Sequence, residues 1–120
     1  MLVGDQRPYL TCVLSLLEDP PMSGNIEKGA AAFLAGKQCA IKTTKEASSH
    51  TNFRKVIMEG LKEANLKAIS RAQMVQNFHL MAEDFSVDNG TLTPSLKLKR
   101  KEAHKKYSGE IEQMYATAKL

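Results

Sequence analysis

Ser49-His-Thr-Asn-Phe-Arg-Lys-Val-Ile-Met-Glu-Gly-Leu-Lys-Glu-Ala-Asn-Leu-Lys-Ala68 decides how this chain folds. Phe53, Ile57, Leu61, Ala64 and Ala68 recur every three or four residues and so share one face of a helix. Arg54, Lys55, Glu59, Lys62, Glu63 and Lys67 take the other side. Hydroxyl and amide side chains between Ser49 and Asn52 suit the helix start, where backbone N–H groups lack partners. A helix with a single apolar stripe needs a surface to lie on, and the flanking sequence supplies it.

Tyr9-Leu-Thr-Cys-Val-Leu-Ser-Leu-Leu17 is rich in residues that fit a pleated surface and reads as a buried strand. Met74-Val-Gln-Asn-Phe-His-Leu-Met81 alternates imperfectly and reads as a second strand. Glu18-Asp-Pro-Pro-Met-Ser-Gly-Asn25 is a loop, because its prolines and glycine interrupt both regular patterns. Ile26 to Leu34 is an alanine-rich helix candidate stopped by Gly36, while Lys37 to Ser49 is polar and ambiguous. Phe85-Ser-Val87 and Thr91-Leu92 flank an Asp88-Asn-Gly90 turn as a predicted small hairpin. Ala103, Tyr107, Ile111, Met114 or Tyr115, and Ala118 space out a terminal helix that contains Gly109. The expected fold class is therefore α+β, a small sheet with a hairpin flanked by amphipathic helices.

Length and composition narrow the functional classes. A chain of 120 residues with 42% hydrophobic content forms one domain with a modest core, without room for a large enclosed active site. The longest apolar-leaning run, Tyr9 to Leu17, is too short to span a bilayer. Asp5 and Arg7 before it, and Glu18-Asp19 after it, do not fit a signal peptide. Cys12 and Cys39 have no metal-ligand spacing and read as small buried thiols in a reducing compartment. His50, His79 and His104 lie far apart without clustered Cys, Asp or Glu, and His79 reads as a packed or edge histidine. Glu83-Asp84 are sequence neighbours, which do not face each other as a pair of catalytic carboxylates would. There is no nucleophile elbow, phosphate loop or dinucleotide fingerprint.

What remains is charge. Lys97 to Lys106 carries +5 within a chain of net charge +4, so the other residues sum to −1. Such a patch is either a site for an anionic ligand or partner, or a solvated helix face. It begins in Leu92-Thr-Pro-Ser-Leu-Lys-Leu-Lys-Arg100, where a preceding turn and a proline aim the lysines forward as the chain leaves an extended segment for its last helix. A lysine so placed can hold an anionic substrate as a mobile point charge.

Several of these segments resemble the carboxy-terminal end of long-chain fatty acyl-CoA synthetases, members of the acyl-adenylate-forming superfamily. The resemblance is carried by Asn65-Leu-Lys-Ala-Ile-Ser-Arg-Ala-Gln73, Phe78-His-Leu80, Glu83-Asp-Phe-Ser-Val87 and Gly90-Thr-Leu-Thr-Pro-Ser-Leu-Lys-Leu-Lys-Arg100. Lys106-Tyr107, Ile111, Tyr115 and the early Arg7-Pro-Tyr-Leu-Thr-Cys-Val-Leu14 add to it. It is weakest from about Pro20 to Thr51. Leu96 stands where relatives that activate shorter acids carry glycine, and Lys101 where proline is common.

The resemblance implies a two-step ligase in which ATP with Mg2+ and a long-chain fatty acid give an acyl-adenylate and pyrophosphate. Coenzyme A then displaces AMP. In such enzymes the small carboxy-terminal domain swings over the large one and delivers a lysine to the first step, which by position is Lys97. Lys99 and Arg100 are implied as phosphate or coenzyme A contacts, with solvated surface charges as the alternative. The implied partner is a large N-terminal adenylation domain, so residues 1–120 correspond to a carboxy-terminal domain lacking that domain and the hinge, inactive alone and binding no cofactor tightly. The implied location is intracellular and cytoplasmic, with any peripheral membrane attachment made through the missing part. Two other readings stay open. One is a stand-alone basic module for acidic lipid or nucleic acid, although no aromatic interleaves the basic run for base stacking. The other is an inert structural remnant.

Overall fold

The computed structural model describes residues 1–116. Its elements in chain order are β1 (Leu2–Val3), β2 (Leu10–Leu14), α1 (Lys28–Gly36), α2 (Thr44–Ser49), α3 (Thr51–Leu66), a 3-10 turn (Arg71–Gln73), β3 (Val75–Leu80), α4 (Arg100–Lys106) and α5 (Ser108–Ala116). β1 pairs antiparallel with β2, and β2 pairs parallel with β3, giving a sheet in the order β1-β2-β3. The α+β architecture is as expected.

Successive residues of a strand point to opposite faces, and that alternation builds two cores. Cys12 joins Leu34, Ile41, Phe53, Phe78 and Leu80 on one side of the sheet. Val13 joins Val3, Met81, Tyr107, Ile111 and Met114 on the other. Helices α1 to α3 contribute to the first core, and α5 with Tyr107 at the α4–α5 junction to the second. Both cysteines are buried free thiols, and burial pushes the Cys12 thiol up despite the opposing pull of the N-terminal ammonium.

Local chemistry explains the helix limits. The Glu27 carboxylate caps α1 by accepting from the N–H groups of Gly29 (2.8 Å) and Ala30 (2.9 Å). α2 falls in the stretch left ambiguous by its polarity. Thr43 Oγ1 accepts from the N–H of Glu46 at 3.1 Å, so Thr43-Thr-Lys-Glu46 matches the residue pattern of a capping box. α3 is capped by His50, whose Nδ1 accepts from the Phe53 N–H at 3.2 Å, rather than by a hydroxyl or amide. Along its stripe Phe53 is buried, Ile57 and Leu61 are half-buried, and Ala64 is exposed. The far end of α3 is instead held by Asn65, whose side-chain amide accepts from the Val75 N–H and donates to the Val75 C=O, both at 2.9 Å.

Two expectations are corrected. The single terminal helix is two helices that meet at Tyr107, although Ala103, Tyr107, Ile111 and Met114 are buried as their spacing requires. Ala118 lies outside the described residues. The Tyr107 hydroxyl is buried without a hydrogen-bond partner among the described residues, and burial, with smaller contributions from Glu83 and Glu110, pushes its pKa up to about 12. The predicted hairpin across Asp88-Asn-Gly90 is absent as a strand pair: residues 85–87 and 91 have no ladder partners. The turn itself is present, with Gly90 at φ +81° and its N–H bonded to the Val87 C=O at 3.1 Å. Antiparallel pairing starts only after it, where Leu92 faces Leu98.

Candidate functional site: a lysine on a closed turn

The segment after β3 is anchored before it turns. The Met81 N–H donates to the Leu14 C=O at 2.8 Å, continuing the β2–β3 pairing. Asp84 then faces inward. Its Oδ1 accepts from Ser15 Oγ at 2.6 Å and the Phe85 N–H at 2.7 Å, and its Oδ2 accepts from the Glu18 N–H at 3.2 Å. Glu83 faces the other way, toward Asn89 and Lys106, so the adjacent acids diverge.

Asn89 and Thr91 form the base of the site. Asn89 Oδ1 accepts from the N–H groups of Ser86 (3.3 Å) and Thr91 (3.2 Å), while its Nδ2 donates to the Asp84 C=O at 3.0 Å. Thr91 is fully buried, and its Oγ1 accepts from the Ser86 N–H at 2.9 Å while facing the Ser86 C=O and Asn89 Oδ1. This side-chain-centred ring satisfies backbone groups that a strand ladder would otherwise have paired.

A miniature hairpin stands on that base. The Thr93 N–H donates to the Lys97 C=O, and the Leu96 N–H donates to the Thr93 C=O, both at 2.8 Å. Pro94, Ser95 and Leu96 are its loop. Leu96 adopts φ +64°, the left-handed conformation usual for the last residue of a three-residue hairpin loop and ordinarily filled by glycine. Below the bridge, the Lys99 N–H donates to the Thr91 C=O at 2.7 Å.

Lys97, Lys99 and Arg100 are all exposed. Lys97 and Lys99, two apart on the extended return arm, share a face. Lys97 forms no ion pair among the described residues. Arg100 opens α4 and reaches away, its guanidinium donating to the Leu2 C=O of β1. The three sequence-predicted cations therefore do not converge on one point. Beside the hairpin, Leu17, Pro21, Met22, Val87, Leu92 and Leu96 line an open apolar depression of about 330 Å³, with Leu96 71% exposed.

The AMP-binding enzyme C-terminal domain, as a family profile, matches residues 8–119. The chain belongs to that family. Its relatives include the long-chain-fatty-acid–CoA ligase heimdall of Drosophila melanogaster, 33% identical across 96% of this chain and 21% of the relative. The human long-chain-fatty-acid–CoA ligase ACSBG1 is 32% identical across 100% of this chain and 18% of the relative. FadD15 of Mycobacterium tuberculosis, a long-chain-fatty-acid–CoA ligase, is 30% identical across 96% and 18% respectively. The chain thus spans about a fifth of the length of the curated relatives it matches. No solved structure matches it.

As an AMP-binding enzyme C-terminal domain, the chain presents its strongest candidate group, Lys97, on a braced turn. No described helix is long and apolar enough to cross a membrane. Among the described residues no group of three His, Cys, Asp or Glu gathers to hold a metal ion. His79 is half-buried on β3; burial pushes its pKa down, with Glu110 opposing and Arg54 reinforcing the shift. Sequence reasoning missed Asn89, Thr91 and Thr93 as the residues that shape the lysine's support. A hydroxyl directly before the Pro94-Ser95-Leu96 loop was the available signal for Thr93.

Proposed function

We propose that residues 1–120 are the C-terminal domain of an AMP-forming long-chain-fatty-acid–CoA ligase, with Lys97 serving its adenylation step. The observation that carries the reading is an exposed lysine without an ion pair among the described residues, borne on a closed turn of a chain that belongs to this family. The remaining four-fifths of such an enzyme corresponds to a large N-terminal adenylation domain, the partner in this reading. The apolar depression flanking Leu96 is the surface that this partner covers when the lysine enters.

In the first step a fatty-acid carboxylate oxygen attacks the α-phosphorus of ATP, and the bond to pyrophosphate breaks. Anionic oxygens crowd together as the new bond forms. The Lys97 ammonium, held between a carboxylate and an α-phosphate oxygen, offsets that repulsion most where it is greatest, in the transition state. A turn braced from below lowers the reorganisation needed to aim it. In the second step the coenzyme A thiolate attacks the acyl carbon and AMP departs. Mg2+ travels with the ATP phosphates. ATP and coenzyme A are bound by the complete enzyme, with Lys99 available to a phosphate on the same face as Lys97 and Arg100 further round.

The test is fatty-acid-dependent exchange of pyrophosphate into ATP. The large domain of human ACSBG1 is assayed alone and joined to this chain in place of its own C-terminal part. Exchange above that of the large domain alone supports the reading. Equal exchange from both, with the joined protein folded, refutes it. A basic lipid- or nucleic-acid-binding module predicts salt-sensitive binding shared among the cations, with no distinct role for Lys97.

A further inference from the structure

We infer that Thr93 is a positioning residue for Lys97, an inference that rests on the proposed role of that lysine. Two groups of Thr93 grip the backbone of Lys97: its N–H donates to the Lys97 C=O at 2.8 Å, and its Oγ1 accepts from the Lys97 N–H at 3.1 Å. The second bond answers a specific shortage. The Thr93 C=O, which would ordinarily take that N–H, already accepts from the Leu96 N–H at 2.8 Å. A side-chain acceptor at position 93 gives the lysine's N–H a partner of its own.

The hydroxyl is also suited to its task by what surrounds it. β-branching restricts χ1 at Thr93, so Oγ1 has few orientations to choose among. Its other neighbour is Ser95 Oγ at 3.1 Å, inside the same loop. Leu96 occupies a left-handed conformation that a non-glycine residue adopts only when its surroundings impose it. The grip on either side of Leu96 is what imposes it. Without Oγ1 the turn loses one of the bonds that close it beside a strained residue, and the Lys97 backbone, from which a long flexible side chain extends, is free to shift. Small displacements of a charge aimed at a reacting phosphate carry large rate penalties.

The prediction separates positioning from general structural damage. In a complete enzyme carrying this chain as its C-terminal domain, T93V keeps the shape but removes the acceptor. It lowers the rate of adenylate formation roughly tenfold and leaves thioester formation from supplied acyl-adenylate and coenzyme A unchanged. T93S, which restores an Oγ, recovers adenylate formation. In a K97A background T93V has no further effect, because the hydroxyl acts only through the lysine. The inference is overturned if T93V leaves adenylate formation intact while K97A cripples it, if it slows both half-reactions alike, or if its effect persists undiminished beside K97A. Should K97A itself leave adenylate formation intact, the proposed role of the lysine falls, and the positioning role with it.

Discussion

Leu92 and Leu98 face each other across an antiparallel bridge, so the lysine between them sits on a closed turn rather than a loose strand. Closure is built in tiers. Asp84 ties the segment to the exit of β2, Asn89 and Thr91 form a ring above it, and Thr93 fastens the return arm. The tiers carry separate, measurable consequences.

Leu96 is strained. Placing a β-carbon in the left-handed region costs roughly 1–2 kcal/mol, whereas glycine adds roughly 0.5–1 kcal/mol of unfolded-state entropy. Leu96 is 71% exposed and recovers little by burial. Leu96→Gly therefore raises the unfolding free energy by about 0.5–1 kcal/mol in urea denaturation. A destabilised variant would show that the leucine side chain contributes more in its groove than its backbone conformation costs.

Thr91 is the buried centre of the ring. Thr91→Val preserves shape but removes the hydroxyl from the ring, leaving the Ser86 N–H only its longer 3.3 Å bond to Asn89 Oδ1. The expected loss is about 0.5–1.5 kcal/mol of stability, the net contribution of an ordinary hydrogen bond. Amide exchange at Ser86 and Leu92 accelerates in step. Wild-type stability with unchanged exchange would mean that the ring does not brace the hairpin.

Burial of His79 gives the domain a pH dependence whose sign follows from the direction of its pKa shift. Its folded pKa lies below the ordinary 6.5, chiefly through burial. The unfolded chain therefore binds a proton more readily than the folded one, so this contribution is complete above about pH 6.5, declines as pH falls below that value, and is lost as pH passes through the lower folded pKa. Denaturation midpoints between pH 7.5 and pH 5 should decline less for His79→Gln than for the wild-type chain. An NMR titration midpoint above 6.5 would reverse the sign and refute the assignment.

Elements with a strong period and a core to bury were readable in advance. Cys12 and Val13 point into opposite cores, and the strand around them was evident from its apolar density. Phe53 marked α3, and the burial of Ala103, Tyr107 and Ile111 followed from their spacing. α2 was hidden because only Thr44 and Ala47 of its six residues are buried, so its capping pattern at Thr43 and Glu46 was the sole cue. β1 is too short to carry a pattern and forms by pairing with Thr11 and Cys12 of β2. Asn89-Gly90 is a strong turn signal and points to a hairpin one turn early, whereas leucine gives no hint of the left-handed conformation at Leu96. The resemblance of its segment is what names Lys97 as the candidate. Its supports are not legible, because Asn89, Thr91 and Thr93 act through backbone partners that only the folded turn brings within reach.

The central claim is that Lys97 serves adenylate formation and not thioester formation. The direct measurement is a single-turnover comparison of both half-reactions for Lys97→Ala in a complete enzyme carrying this chain. Loss of one electrostatic contact aimed at the transition state predicts a fall of roughly 100-fold or more in adenylate formation, with thioester formation from supplied acyl-adenylate nearly unchanged. Equal loss in both steps, or loss in neither, would contradict the account.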